Sequence, residues 1–282
     1  MRPPLHATAR AIALACLLAA GALLCGCATT GGQETTARAL DGILAGSQRT
    51  EADRSRDAYR HPKETLLFFG IRPQMRVLQV WPESGWYTAI IAPLLRAQGR
   101  YIGGVIAPDP GSRFLAARLA SYRQLLASRP DVYGRVEVVT FPLDGGDVLP
   151  PRSVDMVLSF CDLHEWMALG DAQQALATIY RALAPGGVFG VVDNRGNPAL
   201  PQDPRAKAGY VRQDYAIGMI EGAGFRLVAT SQVNANPKDT KDYPAGVWAL
   251  PPDYRLGNVD RARYRAIGES DRFTLKFIKP GP

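Results

Sequence analysis

The chain has 282 residues, 46% of them hydrophobic, with 33 Lys and Arg against 26 Asp and Glu and a formal net charge of +7. That length suits one α/β domain with additions or two small domains, and so mild a basic excess does not by itself argue for a nucleic-acid partner. Of four cysteines, Cys16, Cys25 and Cys27 sit in the N-terminal segment, which leaves Cys161 alone and excludes a disulfide framework in the rest.

In chain order, Arg2 and Arg10 flank the start of an apolar run from Ala11 to Leu24 that closes on Leu24-Cys25-Gly26-Cys27. The run is too short and too rich in small residues for a transmembrane span, and it reads as an export signal. A small residue directly before Cys27 resembles the lipobox of bacterial lipoproteins. That implies a signal peptide over 1–26 and lipidation of Cys27; an ordinary signal peptide cut nearby is the alternative. Acyl chains contribute roughly 0.8 kcal/mol per buried methylene, so several of them anchor a protein stably to a membrane. Ala28 rather than Asp follows the cysteine, which implies an outer-membrane, periplasm-facing location. Cleavage after Gly26 leaves 256 residues with a net charge of +5.

Residues 27–36 read as a lipidated tether, Thr- and Gly-rich, and 37–282 as the folded domain. From Thr36 to Tyr59, charges of both signs mix with Ala and Leu as on an exposed helix. Strands are predicted over Val77–Val80, Tyr101–Ile106, Arg135–Thr140, Val154–Phe160, Val188–Val192, Phe225–Val233 and Phe273–Ile278. Helices are predicted over Tyr87–Ala97, Ser112–Ala127, Asp171–Leu183 and Arg212–Ala223, with Ser112 as an N-cap and Gly224 just past a C-terminus. Alternation of this kind predicts a Rossmann-like, doubly wound α/β sheet, mostly parallel. The last two strands are joined only by the Pro-rich stretch 234–270, which predicts a C-terminal antiparallel strand and an inserted loop.

Seven strands in that order resemble class I S-adenosylmethionine-dependent methyltransferases. Leu183-Ala184-Pro185-Gly186-Gly187 is similar to that family's turn before strand five, Ser153-Val154-Asp155-Met156-Val157 to its fourth strand, and Glu221-Gly222-Ala223-Gly224-Phe225 to its entry to strand six. The segments YRHPKETLLFFGI (59–71), WYTAIIAPLL (86–95), NANPKDTKDYPAGVWALPP (234–252) and AIGESDRFTLKFIKP (266–280) resemble a group of exported bacterial predicted methyltransferases. The resemblance implies S-adenosylmethionine as cofactor, held by the turn Trp81–Gly85 with Glu83 in it, and by Asp144 and Asp162.

This chain departs from the family pattern where the first strand ends. Gln79 stands where the family has an acid, and Glu83-Ser84 where it has glycine, so one anchor for the cofactor's ammonium is lost and a negative side chain is added. Ile106 occupies the place of the ribose-binding acid, with Asp109 three residues on. Asp144 is placed either to accept from an adenine amino group or simply to close an Asp-Gly-Gly turn.

Chemistry is expected in the loop after strand four, Cys161-Asp162-Leu163-His164-Glu165-Trp166. His164 is the candidate base near neutral pH, with Asp162 beside it as a catalytic residue and Trp166 to wall the pocket or face a cationic sulfur; the alternative is that Asp162 caps the following turn while His164 and Trp166 pack under it. Asp193 and Arg195, at the end of strand five, are candidate substrate contacts facing the same cleft, or surface charges. Tyr59, Arg60 and His61 are a candidate lid, or a helix entry at His61-Pro62. Arg255, Arg261, Arg263 and Arg265, interleaved with Tyr254 and Tyr264, could meet an anionic substrate or lipid headgroups, or form a solvated helix face. Only His61 and His164 remain outside the signal, with no Cys pair, so a metal site is not expected. No nucleic-acid partner is expected either. The expected activity is methyl transfer to a small molecule or envelope component; the alternative is a catalytically inactive domain that binds a ligand in the envelope.

Overall fold

The computed structural model describes residues 31–82, 84–106 and 112–281. The expected signal peptide 1–26, Cys27, Glu83 and Asp109 lie outside the described residues. Seven strands, β1 (Arg76–Val80), β2 (Arg100–Ile106), β3 (Glu137–Phe141), β4 (Val154–Phe160), β5 (Leu183–Asn194), β6 (Arg226–Ser231) and β7 (Arg272–Ile278), form one sheet. Their spatial order is β3-β2-β1-β4-β5-β7-β6. All pairings are parallel except those of β7, which runs antiparallel to both β5 and β6. The chain leaves β1 toward β2 and β3, then returns to β4 on the other side, so the order reverses at β1. In an open wound sheet, the crevice above such a reversal is where ligands bind.

Helices cover both faces of the sheet, and the strands separate two cores by simple alternation. Val77 and Tyr101 pack with Phe69, Ile90, Ile91 and Leu95, from α4 (Pro62–Phe69) and α5 (Thr88–Leu95). Leu78, Val80 and Ile102 pack instead with Trp166, Leu176 and Ile179, from α8 (Leu163–Leu169) and α9 (Ala172–Ala182). A strand buried on both faces has no polar side, which is why β1 reads as a near-continuous apolar run. Before α4 come helix 31–44 (α1), α2 (Glu51–Ser55) and α3 (Asp57–Arg60). After β2 come α6 (Arg113–Ser128) and α7 (Pro130–Tyr133), and α10 (Gln213–Gly222) follows β5.

The four predicted helices agree with α5, α6, α9 and α10 to within two residues at each end, the usual scatter of helix boundaries. Their ends have the expected causes. Ser112 Oγ accepts from the Leu115 N–H at 3.3 Å, and Gly224 takes φ +99° just after α10. Strand β5 is longer than predicted. Leu183 already pairs with Val154, the register shifts, and the Gly186-Gly187 backbone bonds to Lys279 beyond β7. Residues 31–36, expected within the tether, are the first turns of α1, where Thr36 is buried and Leu40 joins the core. Residues 163–169, expected as loop, form α8.

The insertion 234–270 carries a small core of its own around Tyr243, Ala249, Leu250 and Tyr264. It holds a 3₁₀ turn at Gly246–Ala249 and α11 (Arg261–Ile267), and the Arg261 guanidinium lies 3.9 Å over the Tyr254 ring. Among the described residues, no helix is long and apolar enough to cross a membrane.

Candidate active site

A cleft of about 670 Å³ opens above the carboxyl ends of β1 and β4, within the size range of small-molecule sites. Gln79, Trp81 and Pro82 supply one wall from the tip of β1, and Phe160, Cys161 and His164 another from the tip of β4. Arg56 and Arg60 reach in from the helices before α4, while Trp248, Pro251, Pro252 and Arg255 of the insertion form a cover.

His164 stands in the first turn of α8 with its ring on the cleft. Its Nδ1 lies 2.8 Å from Asp193 Oδ1, and its backbone N–H donates to Asp193 Oδ2 at 3.2 Å. Asp193 is fully buried and also accepts from the Asn194 N–H. A carboxylate only accepts, so Nδ1 carries the proton and Nε2 is the basic nitrogen. The Glu165 carboxylate lies 3.6 Å from Nε2, and the Trp248 ring sits 6.1 Å from the imidazole. The imidazole and the carboxylate come from β4–α8 and β5, two neighbours in the sheet, so the fold itself brings them together.

The other expected site residues part company. Asp193, expected either to face the cleft as a substrate contact or to be a surface charge, lies beneath His164 instead, because a fully buried carboxylate needs the donors found there. Trp166 is completely buried in the core, 6.1 Å edge-on from Trp81 and stacked near Phe141, and so walls no part of the cleft. Asp162 is buried too; it accepts from Ser159 Oγ and the Phe160 N–H, makes no side-chain cap on α8, and is absent from the cleft lining. Asp144 is exposed and accepts from the Gly146 N–H at 2.9 Å, as a turn aspartate does. Arg195 donates to the Arg272 carbonyl and faces Asp271 at 3.8 Å.

The turn after β1 is built for packing as much as for a ligand. Gly85 has φ +79°, and a Cβ there would stand 2.1 Å from Leu125 Cδ2 of α6, so its lack of a side chain lets α6 close against the turn. Trp81 has φ +42° and is mostly buried between the cleft and a slot of about 40 Å³ lined by Val105, Ile106, Leu119 and Tyr122. That slot has room for a few waters, not for a purine. Gln79 is buried, and its side-chain oxygen accepts from the Tyr101 O–H at 2.7 Å. Tyr101 in turn bonds Thr88, which reaches Tyr122, so the family's acid is replaced by a neutral, satisfied network.

Residues outside the expected catalytic pair dominate the cleft's electrostatics. Glu269, 2% exposed, is held by Arg56 at 2.5 Å, Arg60 at 2.9 Å and Arg272 at 2.5 Å. Burial pushes its carboxyl up, but the charges of Arg272, Arg60 and Arg56 outweigh that and hold it far below the usual carboxylate range. Burial pushes the half-buried Cys161 thiol up to about 12, so it stays neutral. For Glu269 and Arg272 the sequence signal was the quoted segment 266–280; Arg60 was singled out only as part of a candidate lid, and Arg56 not at all. Arg60 lines the cleft, as its reading as part of a lid required; His61 serves as the entry to α4. Among the described residues, no group of three His, Cys, Asp or Glu side chains is placed to hold a metal ion.

No protein-family model matches the chain, and no curated protein matches it in sequence. Solved structures do match its fold. A SAM-dependent methyltransferase from Aquifex aeolicus aligns at 15% identity over 80% of this chain and 93% of its own, with a TM-score of 0.55. The [4+2]-cyclase SpnF aligns at 15% identity over 90% of this chain and 97% of its own, with a TM-score of 0.58. The glycopeptide N-methyltransferase MtfA aligns at 15% identity over 82% of this chain and 100% of its own, with a TM-score of 0.51. The chain has the class I methyltransferase fold, and the presence of a cyclase among its neighbours underlines that the fold alone does not name a reaction.

Proposed function

We propose that this protein is an S-adenosylmethionine-dependent methyltransferase acting on a small molecule of the cell envelope. The observation that carries the reading is the His164–Asp193 pair, oriented as a base and placed on a cleft at the sheet's switch point. The residues present fit the cofactor. The start of α5 has no side-chain cap and would face its carboxylate, and the aromatic side of the cleft, Tyr87 and Phe160, would border its apolar part. When bound, S-adenosylmethionine supplies a methyl group on a sulfonium. His164 Nε2 takes the proton that the acceptor loses, while Asp193 holds the ring in that tautomer and stabilises the imidazolium that forms. Trp248 and Pro251-Pro252 cover the cleft and limit the water around the reacting groups.

A second reading, an inactive domain that binds another ligand in the same cleft, draws support from Gln79 and Trp81. The first offers no charge to an ammonium, and the second occupies space beside β2. Thermal unfolding of the mature chain separates the two. S-adenosylmethionine or S-adenosylhomocysteine at one hundred times its dissociation constant should add about 2.7 kcal/mol of stability. No shift at millimolar ligand would reject methyl transfer and leave the second reading.

The same proposal holds the chain in the envelope through lipid on Cys27, a reading supported by the sequence Leu24-Cys25-Gly26-Cys27. Cells fed a labelled fatty acid should label the protein, and Cys27→Ala should abolish both the label and membrane fractionation. Labelling that survives the substitution would sink the anchor.

A further inference from the structure

The cleft has a charge imbalance that methyl transfer by itself does not require. Among the described lining residues, cations such as Arg56, Arg60, Lys207, Arg255 and Arg272 outnumber the acids. The deepest part is the most lopsided: three guanidiniums converge on the one carboxylate of Glu269. A single buried carboxylate balances one guanidinium, so about two positive charges remain at this wall. The neighbouring acidic groups do not offset them. Burial raises both the Cys161 thiol and the Tyr87 phenol, so each stays protonated beside Arg272. Asp271, nearby in sequence, is taken by Lys241 at 3.0 Å.

Arg272 makes the case specific. It is 5% exposed, lines the cleft, and has a buried Nε–H with no hydrogen-bond partner. A buried guanidinium with an unmet donor is costly, and an anion beside its charge in the cleft would offset that cost. Arg60 adds a second fork on the same side, its guanidinium 4.9 Å over the Trp86 ring and so fixed in orientation. Next to these cations, Trp86 stands edge-on to Tyr87, which stacks on Phe160, so the cleft has an apolar aromatic side.

Resting on the methyltransferase reading, we propose that the wall of Arg56, Arg60 and Arg272 is the acceptor's anion subsite: the molecule methylated here carries a carboxylate or phosphate beside an apolar body. Rigid guanidiniums suit either anion bidentately, and a neutral acceptor would leave the imbalance in place.

Calorimetric titration of the full mature chain tests this, with inorganic pyrophosphate and malonate as probes and chloride matching the ionic strength. At least one probe should bind while chloride gives no heat, and the stronger of the two identifies a phosphate or a carboxylate. Arg60→Gln should weaken that probe about ten- to hundredfold. Glu269→Gln, which removes the one competing carboxylate, should tighten it, and any loss of stability in that variant should be partly restored by the probe. Saturating probe should leave the affinity for S-adenosylhomocysteine unchanged. The proposal is overturned if neither probe binds, if Arg60→Gln has no effect, or if probe and S-adenosylhomocysteine compete. Competition would make the wall the cofactor's own carboxylate anchor. Probe binding without any S-adenosylhomocysteine binding would reject methyl transfer yet keep the anion subsite.

Discussion

Glu269→Gln should destabilise the domain by about 3–5 kcal/mol, the cost of leaving buried charges without their partner. For a domain of this size that corresponds to a fall in melting temperature of roughly 10 °C. The reason lies in three guanidiniums, from α2–α3 and from the start of β7, that share one carboxylate. Removing it leaves Arg272 and its neighbours repelling one another in a wall with little water. Burial already lowers the pKa of Arg56, and the charge of Arg60 lowers it further, which shows how closely these cations oppose each other.

The pH dependence has a definite sign. The folded-state pKa of Glu269 is depressed, so its contribution is complete above the unfolded value, about 4.3, and is lost as pH falls toward the folded value. The stability gap between wild type and Glu269→Gln should therefore be widest at neutral pH and should narrow below about pH 4. Urea unfolding at pH 7 and pH 3.5 measures both quantities. A substitution that costs less than about 1 kcal/mol at neutral pH would mean the cluster is solvated and not a buried ionic core.

The second large effect is on turnover. Asp193→Asn should cut methyl transfer by about 10²- to 10⁴-fold, the usual range for losing a positioned base. The amide keeps the shape of the side chain but can present a donor to Nδ1, which favours the tautomer whose proton sits on Nε2. The basic nitrogen is then on the wrong side of the ring. His164→Gln should fall within the same range, and the double variant should be little worse than either single one, because the two residues act as a unit. Release of S-adenosylhomocysteine with small carboxylate or phosphate acceptors provides the assay. A drop in kcat with KM near its original value marks a role in the chemical step. If Asp193→Asn keeps turnover within threefold while the protein stays folded, His164 is not the base.

These two clusters mark the division between what was legible in the chain and what was not. The order of strands and helices followed from local chemistry. Apolar runs such as Val77–Val80 and Val154–Phe160 become buried strands, Ser112 caps a helix, and Gly224 ends one, each within a few residues of its cause. Alternation of those elements, with no long helix expected before β7, was enough for a wound sheet with an antiparallel end. His164 on the cleft was within reach for the same reason, since the turn after β4 in such a sheet opens onto the switch point.

What lies against what could not be read locally. Arg56 and Glu269 meet across 213 residues of sequence, and no periodicity connects them. Asp193 and Trp166 have the polarity and size of site residues, yet packing turns the first under the His164 ring and the second into the core. A side chain's direction is decided by the elements that cover it, and those arrive from distant parts of the chain. By itself the sequence determined the wound framework and its switch point; only the tertiary structure decided which charges face the cleft, because burial and ion pairing are properties of the assembled layers and not of any single element.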